Sequence, residues 1–267
     1  MNEGALFAVE NLGFAYGQTV VLRDISCALY PGCFYGVVGP NGCGKTTFVD
    51  LLCGCKQPAT GSVRLGGRAL NDFGKRQLAR QLALVPQEFD IGFDFTVEET
   101  VMMGRHCHIG RFQAPAAGDW DKVRAAMVSL GVETLAARPL ASLSGGQKQR
   151  VIVARALAQD TVALFFDEAT ASLDIRHALR IFNIARHLAR QGRMVVAVIH
   201  DLNLAAAFCD HLLIMKDGRL FAEGRADAAM TAEVIAKVFE TEAEVGWNVF
   251  SNSLQISYRY FDAPDRR

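Results

Sequence analysis

Nine residues, Gly39-Pro40-Asn41-Gly42-Cys43-Gly44-Lys45-Thr46-Thr47, restrict the fold of this chain more than any other stretch. They follow the apolar run Phe34 to Val38 and precede helical spacing from Thr46 to Leu52. A G-x-x-x-x-G-K-T loop between a strand and a helix turns backbone N–H groups inward, here those of Gly42, Cys43, Gly44 and Lys45. Such a cradle fits a β-phosphate, and glycines are required because side chains would block the approach. Lys45 would neutralise the β- and γ-phosphates, and the Thr46 hydroxyl would ligate Mg²⁺. An ordinary Gly-rich turn is the alternative, and the flanking strand and helix weigh against it.

Leu143-Ser144-Gly145-Gly146-Gln147 supplies a second phosphate-binding element in the same chain. A serine and two glycines at a helix start suit an anion, with the helix dipole adding favourable potential. A serine N-cap after a loop is the plainer reading of the same residues. A chain with its own phosphate loop has little local use for another, so this one is expected to face a γ-phosphate held by a second copy.

Other candidate groups sit at the ends of apolar strands, where ligands gather in parallel sheets. Asp167 and Glu168 end the strand from Val162 to Phe166: Asp167 to hold Mg²⁺ through water, Glu168 as general base toward the attacking water. A pair of solvated acids is the alternative. His200, after Met194 to Ile199, is expected to bond the γ-phosphate and the attacking water, although a lone histidine is more often structural. Gln87, at the exit of Leu82 to Val85, can touch Mg²⁺ or water while its backbone shifts with the segment that follows. Tyr16, an aromatic before a turn, either stacks on adenine or packs against the protein.

Short strands and turns dominate up to Pro31-Gly32 and read as antiparallel hairpins. Thr96-Val97-Glu98-Glu99 reads as a capping box opening a helix through Arg105, and Asp119-Trp120 starts a helix towards Gly131. After Val162 to Phe166 come a helix from Ile175 to Arg190, the strand to Ile199 and a helix from Asp201 to Cys209. Strand–helix alternation with continuous apolar strands implies a parallel, doubly covered sheet. Asp217-Gly218 marks a hairpin between Leu212 to Met215 and Arg219 to Ala222. One further helix is expected after Thr231; residues 246 to 267 yield no reading.

The chain has 267 residues, 51% hydrophobic, enough for one well-buried domain. A net charge of +0 argues against a nucleic-acid groove, and no apolar run approaches the roughly 18 residues of a membrane span. The N-terminus shows no secretory signal, so a cytoplasmic protein is expected. Seven scattered cysteines do not form a disulfide framework, and Cys53-Gly54-Cys55 lacks a second pair for a metal. Reduced, structural thiols are expected.

In order and spacing these motifs, from Tyr16 to about Val238, resemble the ATP-binding cassette (ABC) family. Gly39 to Thr47 looks like the Walker A loop, Gln87 the Q-loop, Leu143 to Gln147 the signature and Val162 to Asp167 Walker B with Glu168 as catalytic glutamate. Ser172-Leu173-Asp174 looks like the D-loop, and His200 like the switch histidine. The resemblance implies a single α/β domain over residues 1–267. Its phosphate-loop NTPase core would carry a mostly parallel sheet, an N-terminal antiparallel β subdomain, a helical signature subdomain at about 88–160 and a C-terminal extension at about 240–267. It also implies ATP and Mg²⁺ as cofactors and a head-to-tail dimer with two ATPs sandwiched between Walker A of one copy and the signature of the other. Thr96 to Arg105 and His200 to Asp210 resemble importers for iron-siderophores, haem and cobalamin. Such ATPases sit on the cytoplasmic face of the cell membrane, bound to a permease that is fed by an extracytoplasmic binding protein. Gly104-Arg105-His106 lies where such proteins contact their permease.

Ala169 stands where a proline often follows the catalytic glutamate. Cys43 lies inside the loop, where its alkylation would block ATP binding. The alternatives are another ABC transporter ATPase, for molybdate-type import or for export, and a non-transport ATPase acting on DNA or ribosomes. Without a coiled coil or basic face between Thr47 and Ser144, the latter is disfavoured. An inactive cassette is disfavoured because every catalytic group is present.

Overall fold

Phe34–Val38 (β3) is buried along its whole length and runs through the interior of the main sheet. Its side chains alternate between two apolar cores, Phe34 and Val38 facing one and Tyr35 and Val37 the other. That double burial is why the strand reads as one continuous apolar run. The computed structural model describes residues 4–87, 89, 94–170 and 173–259.

Two strands precede β3, Phe7–Tyr16 (β1) and Thr19–Leu29 (β2), and Lys45–Leu52 (α1) follows its loop. Thr60–Leu65 (β4) and Arg68–Ala69 (β5) come next, then Lys75–Ala79 (α2) and Leu82–Val85 (β6). The helices Val97–Met102 (α3), Ala117–Leu130 (α4) and Gly145–Ala158 (α5) form a helical region. Ala163–Asp167 (β7), Ile175–Arg190 (α6), Met194–Val198 (β8) and Leu202–Phe208 (α7) restore the alternation. The chain closes with His211–Lys216 (β9), Arg219–Arg225 (β10), Ala226–Ala229 (α8), Ala232–Phe239 (α9), Ala243–Asn248 (β11) and Ser253–Tyr258 (β12).

The main sheet has the order β10-β9-β3-β8-β7-β6. All of its neighbours pair parallel except β9 and β10, the hairpin turned by Asp217 and Gly218, both at positive φ. A separate antiparallel sheet, β2-β1-β4-β5, packs one face on this sheet through Phe7 and Phe165, whose rings meet edge to face at 5.8 Å. On the other face Phe34 stacks near Phe182, and Phe182 near Phe208, tying α6 and α7 to β3. The α/β class with mostly parallel sheet and an added antiparallel sheet is therefore as expected.

Three local expectations shift. The helix expected from Asp119 begins at Ala117, and Asp119 accepts a hydrogen bond from Ala116 N at 3.0 Å to cap it. Asp201 is the cap of α7 rather than its first residue. Within the stretch that gave no reading, part of an antiparallel hairpin, β11–β12, is formed. The proposed start of the helical subdomain, residue 88, lies outside the described residues. All seven cysteines are free thiols, and Cys55 alone is exposed.

Gly104 and Arg105, expected at a permease contact, are buried, and only His106 of that trio is exposed. A Cβ on Gly104 would meet the Arg155 carbonyl at 2.2 Å, so the end of α3 lies directly against α5. The Arg105 guanidinium bonds Asp119 of α4 at 2.9 Å and the Ala158 carbonyl of α5 at 2.9 Å. One side chain thus joins all three helices. Removing it strands a largely buried carboxylate and a helix-end carbonyl, so Arg105→Ala should cost about 2–4 kcal/mol in urea denaturation. A loss like that of an exposed pair, under about 1 kcal/mol, would show that the helices hold together without it.

Candidate functional site

Four parallel strands deliver the site. The loop Gly39–Gly44 leaves the end of β3; Gln87 follows β6 by one proline; Asp167 ends β7 with Glu168 next; His200 follows β8. Because these strands run parallel and adjacent, their C-terminal ends share one edge of the sheet. There lies a pocket of about 550 Å³ lined by Asn41, Gly42, Gly44, Lys45, Thr46, Thr47, Gln87, Glu168 and His200. Val21 of β2 completes the wall; its branched, apolar side chain carried no sequence signal.

The loop takes its shape from backbone that only glycine adopts readily. Gly42 and Gly44 sit at φ 77 and 101, and a Cβ on Gly39 would meet the Met215 carbonyl at 2.3 Å. Gly44 caps α1 without a side-chain hydrogen bond, so no side chain occupies that helix end. Lys45 is only 5% exposed, and its ammonium donates to the Gly39 and Pro40 carbonyls, both at 2.9 Å. Among the described residues it makes no ion pair, so a buried cation is held by neutral acceptors at the floor of a phosphate-sized cradle.

Thr46 Oγ1 donates to Asp167 Oδ1 at 3.1 Å. Burial pushes the Asp167 carboxyl up to about 6, against the lowering effect of that hydrogen bond, and the neighbouring Glu168 charge adds to the rise. A buried carboxylate beside a hydroxyl is a donor set that fits a hard divalent cation. Glu168 sits at φ 51, a left-handed turn that redirects the chain sharply after Asp167. Both of its carboxylate oxygens are occupied, Oε2 by Gln87 Nε2 at 2.9 Å and Oε1 by His200 Nε2 at 2.6 Å. Ala169, in the place of the expected proline, is buried and leaves this turn intact.

Cys43 is 6% exposed and burial raises its thiol pKa, whereas Cys55 is exposed. Other predicted residues lie apart from the pocket. Ser144 caps α5, accepting from Gln147 N at 3.4 Å while Gln147 Oε1 accepts from Ser144 N at 3.0 Å. Ser144, Gly145, Gly146, Gln147 and Asp174 are not among the lining residues. Asp174 caps α6, accepting from His177 N at 2.9 Å. Ser172 falls outside the described residues. Tyr16 is 52% exposed, with Phe14 edge-on at 5.0 Å and the Lys56 ammonium 5.8 Å from its ring.

Comparison with known proteins fits this geometry. The sequence pattern of the ABC transporter family matches residues 22–171. The cobalamin import ATP-binding protein BtuD of Halobacterium salinarum is 39% identical over 97% of this chain. The chain spans 64% of that relative's length, and 53% of the Bacillus subtilis ABC transporter ATP-binding protein YvrA. The iron(3+)-hydroxamate import ATP-binding protein FhuC of Bacillus subtilis is 36% identical over 89% of both chains. Among solved structures, a transporter described as of metal-chelate type, inward-facing, superposes with a TM-score of 0.82 at 29% identity, covering 96% of this chain and 98% of its own. The ADP- and phosphate-bound dimer of the cassette MJ0796 gives 0.73 at 25% identity over 82% of this chain and 98% of its own. With the family pattern over more than half its length and relatives this similar along most of it, the chain belongs to the ABC transporter family of nucleotide-binding proteins.

Proposed function

We propose that the chain is the ATP-hydrolysing subunit of an importer for a metal chelate of the siderophore, haem or cobalamin kind. The observation that carries the ATPase reading is the buried Lys45 ammonium, held by the Gly39 and Pro40 carbonyls inside a glycine loop that shares one pocket with Glu168, Gln87 and His200. The relatives named for cobalamin and iron-hydroxamate import support the cargo class.

On this reading the loop amides and Lys45 bind the β- and γ-phosphates, and Tyr16 stacks on the adenine. Thr46, Asp167 and Gln87 hold Mg²⁺, which supplies charge neutralisation at the phosphates. Glu168 takes the proton of the attacking water. To do so it must release the hydrogen bond it accepts from Gln87 and its close contact with His200. Gln87 leads into the helical region, so that exchange links the reacting centre to the surface offered to a permease. Ser144 to Gln147 and Asp174, outside the pocket of their own chain, complete the pocket of a second copy. Among the described residues no helix is long and apolar enough to cross a membrane, so membrane attachment would come through the permease and an external binding protein would deliver the cargo.

Purified protein should hydrolyse ATP. Glu168→Gln should lower kcat by at least ~100-fold while fluorescent-ATP affinity stays within about threefold; unchanged turnover would remove the general-base role. Detergent-solubilised host membranes should yield a polytopic permease on pull-down, whereas recovery of ribosomal partners alone would end the transport reading.

Asp167 gives a pH-dependent test. Its carboxyl titrates near 6 in the folded chain, against about 4 unfolded, so folding favours its protonated form. That contribution is complete below pH ~4 and is lost as pH rises through 6, leaving a cost of about 1–3 kcal/mol at neutral pH. Asp167→Asn should therefore raise Tm by about 3–8 °C at pH 7.5 without nucleotide, a gain that vanishes below pH ~4. The same variant should lose the extra stabilisation by MgATP. A lower Tm at pH 7.5 would show that the carboxylate is not penalised by burial.

A further inference from the structure

The hairpin β11–β12 meets the body of the protein at a helix that begins two residues after His200. Within α7 the Asn203 side chain reaches the β12 backbone in both senses: its Oδ1 accepts from Ile256 N at 2.7 Å, and its Nδ2 donates to Ile256 O at 3.2 Å. A carboxamide carries one donor and one acceptor edge, like a peptide group, so Asn203 pairs with Ile256 as a neighbouring strand would. Ile256 is 2% exposed and belongs to the same apolar core as Leu202 and Ala205 of α7.

We propose that Asn203 is a positioning residue for His200, with the C-terminal hairpin as the strut against which it is set. His200 lies between two anchors. Upstream, Ile199 N is bonded to Val37 O at 3.1 Å and continues the sheet. Downstream, Asp201 caps α7, accepting from Asn203 N at 2.8 Å and Leu204 N at 3.1 Å. A helix of seven residues has little stability of its own and takes its direction from what it packs on. The bidentate clamp to Ile256 is the directional contact on that helix nearest His200. Its other end is held by Arg186, which donates to Ala207 O at 3.2 Å. The 2.6 Å contact between His200 and Glu168 therefore depends on a strand, β12, more than fifty residues downstream. This inference rests on the proposed ATPase function, within which His200 acts at the reacting centre.

The test uses the full chain and compares wild type, Asn203→Leu, His200→Ala and the double variant in steady-state ATP hydrolysis, with nucleotide affinity and Tm in parallel. Asn203→Leu keeps the branched heavy-atom skeleton and removes both hydrogen bonds; kcat should fall ~10-fold with KM for ATP within about twofold. In the double variant kcat should equal that of His200→Ala alone, because the clamp acts through the histidine. Asn203→Asp keeps the acceptor and loses the donor, and carries the same comparison if the leucine variant does not fold. The inference is overturned by a folded variant with kcat within twofold of wild type, by losses that multiply in the double variant, or by unfolding of both Asn203 variants. A wild-type chain that hydrolyses no ATP would sink the proposed function instead.

Discussion

Parallel pairing of β3, β8, β7 and β6 is the constraint from which the site follows. Parallel neighbours end on the same edge, so one register fixes the places of the glycine loop, Gln87, Asp167, Glu168 and His200 together. Val37 pairs with Val198, and Val198 with Asp167, so the glycine-loop, histidine and carboxylate strands reach that edge almost level. Slipping any strand by one residue would send its apolar side chains to the opposite core and withdraw its polar terminus from the pocket. The two apolar cores on either face, anchored by Phe34 and Phe182 on one side and by Phe7 and Phe165 on the other, hold that register. Site geometry and hydrophobic packing are here the same problem.

Within the pocket, polar groups satisfy one another. Lys45 binds loop carbonyls, Thr46 binds Asp167, and Glu168 binds both Gln87 and His200. Any ligand must exchange these contacts, which makes the pocket responsive to what enters it. Phosphate oxygens offer Lys45 charged acceptors in place of neutral carbonyls, and a cation offers Asp167 positive charge that offsets its burial. Glu168 differs in that both of its carboxylate oxygens have a neighbour, Gln87 at one and His200 at the other, and its backbone is in a left-handed turn. Displacing those neighbours frees a carboxylate that is poorly placed to be solvated elsewhere. That is a suitable condition for a base.

How far the sequence carried depended on whether the signal was local. The strands β3, β7 and β8 are buried on both faces, so composition alone marks them, and the glycine loop and its lysine were readable because each residue type has one geometric use. The caps at Thr96 and Ser144 were readable for the same reason. The hairpin β11–β12 was not. Trp247, Val249 and Phe250 are exposed there, so apolar residues do not mark a buried face, and the contact that seats the hairpin joins Asn203 to Ile256. Likewise the resemblance placed Arg105 at a permease contact, and only the approach of α4 and α5 shows it as a buried hub. The bond between His200 and Glu168, thirty-two residues apart in sequence, belongs to this non-local class as well.

The second glycine-rich element poses a different physical question, because it is not among the residues lining the pocket of its own chain. Ser144 and Gln147 cap α5 reciprocally, so the helix end is stable by itself, yet Ser144 and Gly145 remain exposed and outside the pocket. Helix stability would be served as well by any serine cap; two following glycines reduce it, since each costs about 1 kcal/mol against alanine in a helix. Gly145 has open space where a Cβ would sit, so no packing within the chain requires a glycine there. A residue type that lowers local stability and is not demanded by its own fold makes sense where another surface approaches the backbone closely. Under the proposed function that surface is the nucleotide held by a second copy's Lys45. The pocket described here is then one half of a site, which a second copy completes.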